Sequence, residues 1–139
     1  MKSFALFAFA VLAFIAAPAH ALLKLDITQG NIDPLPIAVV DLNGTDGEAE
    51  QVGRDIAGVV AADLERSGIF RPIEKGAFIE QITAGTSVPR FADWRQINAQ
   101  ALVHGTVTSL GGGEIKVAFR LWDTYAEQQM QGKIFNSYT

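Results

Sequence analysis

The chain has no cysteine in its 139 residues, which excludes disulfides, thiolate metal sites and thiol catalysis. Histidine is almost as scarce, with only His20 and His104. That leaves little from which to build a zinc site or a histidine-based triad. Lys and Arg total 11 against 15 acidic residues, giving a net charge of −4, and the basic residues form no cluster. Recognition of a phosphate backbone needs such a cluster, so nucleic acid is not an expected partner. There is no internal repeat, no low-complexity linker, and only one long apolar run.

That run sits at the start. Lys2 supplies a positive charge, residues 4–17 carry none, Pro18 breaks the stretch, and Ala19-His20-Ala21 has the small-x-small pattern of a cleavage site. Residues 1–21 therefore read as a cleaved secretory signal peptide, too short to serve as a membrane anchor. Removing 21 of 139 residues leaves 118. This is enough for one domain with its own core, exported across the inner membrane and not inserted in it. Its net charge becomes −5, because Lys2 leaves and no acid does. The overall 49% hydrophobic content is raised by the leader and does not argue for a membrane protein.

The expected mature chain opens on a strand. Leu23, Leu25 and Ile27 alternate with Lys24, Asp26 and Thr28 behind Leu22, and Gln29, Gly30 and Asn31 begin a loop. A free chain end that is also a strand suits pairing with the sheet edge of a partner, while the plainer reading is an edge strand of the domain's own sheet, and the two are compatible. Residues 36–41 form a short apolar run, expected as a buried strand. Thr45 and Glu48, or neighbours in the same polar stretch, fit a capping box for a helix carrying Val52, Ile56, Val59, Val60 and Leu64 as its apolar stripe. Gly68 is placed to close that helix, and Ile69 to fold back onto its last turn. An edge strand with Pro72 follows. Residues 75–82 are expected as a short helix, and Asp93 as the cap of a turn holding Trp94 and Ile97. Two alternating strands, 101–109 and 114–123, flank the glycine turn at 111–113, and residues 128–138 suggest a last strand. The order predicts an α/β (α+β type) fold, a mixed sheet with helices packed on one face.

The candidate chemistry is thin. His104 fits a half-buried strand residue better than a ligand or base. Asp41 and Asn43 follow a strand, where α/β proteins often bind ligands, although turn and cap chemistry explains them far better. Gly44, Gly47 and Gly53 lack the spacing and the lysine of a phosphate loop. Trp94 and Trp122 suit core anchors, and Glu65 with Arg66 a solvated helix face. No catalytic residue, metal ligand or cofactor-binding residue is assigned.

With these segments in place the chain resembles the TolB N-terminal domain family of the Tol-Pal system. The resemblance rests on Leu25-Asp26-Ile27-Thr28-Gln29-Gly30, Pro36-Ile37-Ala38-Val39, the stretch from Asp55 through Ser67-Gly68-Ile69-Phe70, Phe91-Ala92-Asp93-Trp94-Arg95, Asn98-Ala99-Gln100-Ala101-Leu102-Val103 and Phe119-Arg120-Leu121-Trp122-Asp123. Each is mostly core and cap chemistry, but together and in order they cover the expected mature chain. The resemblance implies a non-enzymatic periplasmic protein, with no cofactor, that acts in envelope integrity, outer-membrane constriction at cell division, and protein import. It also implies that residues 22–31 engage TolA. Family members continue into a covering helix and a β-propeller that docks Pal. Residues 22–139 are expected to lack both, so Pal is not an expected partner, and an uncovered apolar sheet face should leave the domain marginally stable or sticky. The alternatives are a periplasmic small-ligand-binding or enzymatic α/β domain, and a non-functional gene fragment.

Overall fold

The computed structural model describes residues 33–139. The signal peptide expected at residues 1–21 and the N-terminal strand expected at residues 22–31 lie outside the described residues. From Leu35 onward the chain builds a six-stranded mixed sheet. Its elements are β1 (Leu35–Val39), β2 (Asn43–Gly44), α1 (Gly47–Arg66), β3 (Phe70–Pro72), a 3-10 turn (Lys75–Ala77), α2 (Phe91–Gln96), β4 (Ala101–Gly111), β5 (Glu114–Asp123) and β6 (Gln128–Tyr138). The spatial order is β3-β1-β4-β5-β6, with β2 pairing β4. β1 runs parallel to β3 and β4, and β2 parallel to β4. β4, β5 and β6 form an antiparallel meander. The mixed sheet is the one the strand order predicts.

Successive residues of β1 point to opposite sides, so two apolar clusters form. Ile37 and Val39 join Leu42, Ala57, Ala101 and Val107 beneath α1. Ala38 and Val40 join Leu102, Trp94, Ala99 and Trp122 on the other side. That second side is closed by the segment running from β3 to β4, through Phe78, Ile82 and α2. Trp94 has no exposed surface. Its indole N–H donates to Glu80 Oε2 at 2.6 Å, and the same oxygen accepts from the Arg90 backbone N–H at 2.8 Å. Edge-to-face contacts of Phe78 with Trp94 and of Phe91 with Trp122 complete the cover.

α1 approaches the chain so closely that Gly53 has no room for a Cβ; one built there would lie 2.1 Å from the Leu42 carbonyl oxygen. The helix closes as its sequence predicts: Ser67 is the C-cap and Gly68, with φ +74°, takes the left-handed position. Pro72 sits on β3, at one end of the strand order. The 111–113 turn carries three positive-φ glycines between β4 and β5.

Several local expectations are corrected. The N-cap of α1 is Asp46, whose carboxylate accepts from the Ala49 N–H at 2.8 Å. Thr45 instead accepts from the Ser109 N–H at 3.1 Å, tying the helix entrance to β4. Val59 is 62% exposed, and the buried stripe is made of the small residues Ala49, Gly53 and Ala57, flanked by Val52, Ile56, Val60 and Leu64. Ile69 is exposed, because its strand leaves the helix end at once. Residues 75–82 form only the single 3-10 turn, after which the backbone is extended at Phe78. Asp93 lies inside the first turn of α2, beside Arg90 at 2.9 Å, and provides no cap.

Candidate functional site: an apolar groove beside α1

Cross-strand register shows how far the helix cover reaches. Val107 on β4 is opposite Val117 on β5, which is opposite Phe135 on β6, so all three share the α1 face. Their exposures are 0%, 8% and 50%. A helix is about 10 Å wide and strands are about 4.8 Å apart, so one helix covers roughly two to three strands. α1 packs over β1 to β4. The apolar face therefore continues past the helix onto β5 and β6.

The result is a groove of about 730 Å³. Its wall is the Ile56, Val60 and Leu64 side of α1, and its floor is Val103, Val117, Phe119, Leu121 and Met130. Gln100, Asp123 and Tyr125 supply the polar groups at its margin. Phe119 of the floor stacks on Phe135 of β6 with centroids 5.9 Å apart, so the floor is braced from the neighbouring strand. An apolar concavity of this size suits a hydrophobic segment of a macromolecule or an apolar ligand.

A second cavity, of about 320 Å³, opens where the chain leaves β1. It is polar, and its charged groups are largely engaged. Asp41 pairs with Lys75. Arg54 donates to Gln51 at 2.8 Å. Asn43 donates to the Ile82 carbonyl at 3.1 Å, while its Oδ1 is buried with no partner. Asp41 and Asn43 thus do meet at one concavity at a strand end, as their sequence positions suggest.

His104 is fully buried. Its Nε2 accepts from the Trp122 indole N–H at 2.8 Å, and Nδ1 has no partner. An accepting Nε2 makes this the neutral Nδ1–H tautomer. Burial, reinforced by the Arg120 guanidinium and opposed by the Glu80 carboxylate, holds its pKa below the usual histidine value. His104 is thus a neutral strut between β4 and β5. Trp94 and Trp122 are core anchors, and Arg66 meets Asp63 on the exposed helix face. Among the described residues, no group of three or more metal-ligating side chains converges, and no helix is long and apolar enough to cross a membrane. The expected partner-binding residues 22–31 lie outside the described residues. The family resemblance implied an uncovered apolar sheet face without placing it, because the groove's wall and floor come from distant segments. The alternation of β5 was the signal for its floor.

The TolB amino-terminal domain model matches residues 23–130. Three solved structures share the fold. TolB from Acinetobacter baumannii matches at 23% identity and TM-score 0.57, over 76% of this chain and 24% of that one. The LpoB C-terminal domain from Salmonella enterica matches at 11% identity and TM-score 0.58, over 80% and 87%. A lipoprotein from Neisseria meningitidis matches at 19% identity and TM-score 0.59, over 76% and 81%. The matched region is thus about a quarter of the TolB structure and most of the other two.

Proposed function

The chain belongs to the TolB amino-terminal domain family, and we propose that it is a non-enzymatic interaction module of the Tol-Pal system, working in the periplasm. Its partner in this reading is TolA, engaged through residues 22–31. The roles that follow are envelope integrity, outer-membrane constriction at division, and protein import. Pal is left out, because the family match concerns the amino-terminal domain alone.

The observation that carries the reading is the family match from residue 23, which takes in the Leu23, Leu25 and Ile27 row. Strand addition explains how such a row works. Backbone hydrogen bonds supply the attachment, and alternate side chains fill pockets on the partner's sheet. Lys24 and Asp26 then tune charge complementarity. The described part of the molecule fits a binding role: His104 and the Asp41–Lys75 pair are engaged in internal contacts, and the groove beside α1 is apolar.

The test is a Leu25→Asp/Ile27→Asp double variant, captured on the soluble C-terminal domain of TolA. Binding should be lost with the melting temperature unchanged. A folded double variant that keeps its affinity refutes the mechanism.

One observation favours a second reading, that of a small-ligand domain: the unpartnered Asn43 Oδ1 at the polar cavity. A ligand that raises the melting temperature of the wild-type chain but not of Asn43→Ala would support it.

A further inference from the structure

The geometry points to β6 as a self-pairing edge, through which two copies of this chain join their sheets antiparallel about a twofold axis at Ile134. Among the described residues β6 ends the strand order, and all eleven of its residues are exposed. Natural edge strands are usually blunted by charge, by proline or by brevity. This one carries a single charge, Lys133, has no proline, and exposes Met130, Ile134, Phe135 and Tyr138.

The direction of its backbone groups follows from one hydrogen bond. The Thr139 N–H donates to the Gly113 carbonyl at 2.8 Å, so Thr139 is a hydrogen-bonded pair with the strand beside it. By alternation, Ser137, Phe135 and Lys133 also turn their backbone groups toward β5. Gly132, Ile134, Asn136 and Tyr138 then turn theirs outward, away from β5.

Lys133 selects the register. A twofold at Lys133 opposes two like charges, which is unfavourable. A twofold at Ile134 instead sets each Lys133 against Phe135 of the second copy, on the α1 face. That is a cation–π arrangement made twice. The same register pairs Ile134 with Ile134 on the opposite face, and Gly132 with Asn136. A twofold at Gly132 runs the pairing through the irregularity at Leu121/Trp122, where the β5–β6 register shifts. The surface is thus complementary to itself, which identifies the occupant as a second copy.

The absence of cysteine makes the register directly testable. Residues facing each other in a hydrogen-bonded antiparallel pair have Cα atoms about 5.5 Å apart, within disulfide range. In the full chain, Ile134→Cys should give a covalent dimer on mild oxidation, and Lys133→Cys should not. Sedimentation velocity of the wild-type chain should show a concentration-dependent monomer–dimer equilibrium. Ile134→Lys, which places two ammonium groups at the axis, should be monomeric with unchanged circular dichroism and the melting temperature of the dilute, monomeric wild-type chain. A wild-type chain that stays monomeric up to its solubility limit overturns the proposal. So does equal cross-linking at 133 and 134, or a dimer that survives Ile134→Lys.

Discussion

Val107 and Phe135 stand in one cross-strand row on one face of one sheet, yet the first is fully buried and the second is half exposed. The difference is one of cover and not of composition. Around β1 and β4, α1 seals one face and the Phe78–Trp94–Ile82 segment seals the other. Around β6 the same apolar chemistry faces outward, so this half is where the molecule has surface to offer. The covered half holds the fold together, while the open half is free to vary or to bind.

Substitutions should separate the two halves. Trp94→Ala removes the largest buried side chain and leaves Glu80 without its indole donor. It should cost about 3–5 kcal/mol in urea unfolding. Asp46→Ala removes the α1 cap on the covered half and should cost about 1 kcal/mol by the same measurement. Phe135→Ser, on the open half, should change stability by no more than about 0.5 kcal/mol. Its clearer effect should be weaker binding of an apolar dye to the groove. A Phe135→Ser cost equal to that of Trp94→Ala would erase the distinction.

A pH series sharpens the same comparison. His104 is buried on the covered face with its pKa below the ordinary value of 6.5. The unfolded chain therefore binds a proton more readily than the folded one. The stabilisation from neutral His104 is complete above pH 6.5 and is lost as pH falls from there through the folded-state pKa. Protonation also turns Nε2 into a donor facing the Trp122 N–H donor. Acid should loosen the covered half, and His104→Gln should flatten that part of the profile.

Much of this architecture can be read in the residues. The alternation of β4 and β5, the Gly111–Gly113 turn and the Gly68 helix stop are local signals, and local physics decides them. The misplaced details are those where tertiary contact chooses between equals. Thr45 and Asp46 are both good caps, and the Ser109 N–H of β4 takes Thr45. Val59 is more apolar than Ala57, but the close approach of helix to sheet favours the small residue. Phe78 and Ile82 have helical spacing, yet Phe78 is held by Trp94 in extended backbone. The place of the groove was illegible for a different reason: a strand's pattern shows which face is apolar, and how many strands one helix spans decides where that face is covered.

The most direct test of the account is a titration of the chain carrying residues 22–139 with the soluble C-terminal domain of TolA, followed by backbone NMR. The account predicts saturable binding, with chemical-shift changes concentrated on residues 22–31. A well-dispersed spectrum that TolA leaves unchanged would contradict it.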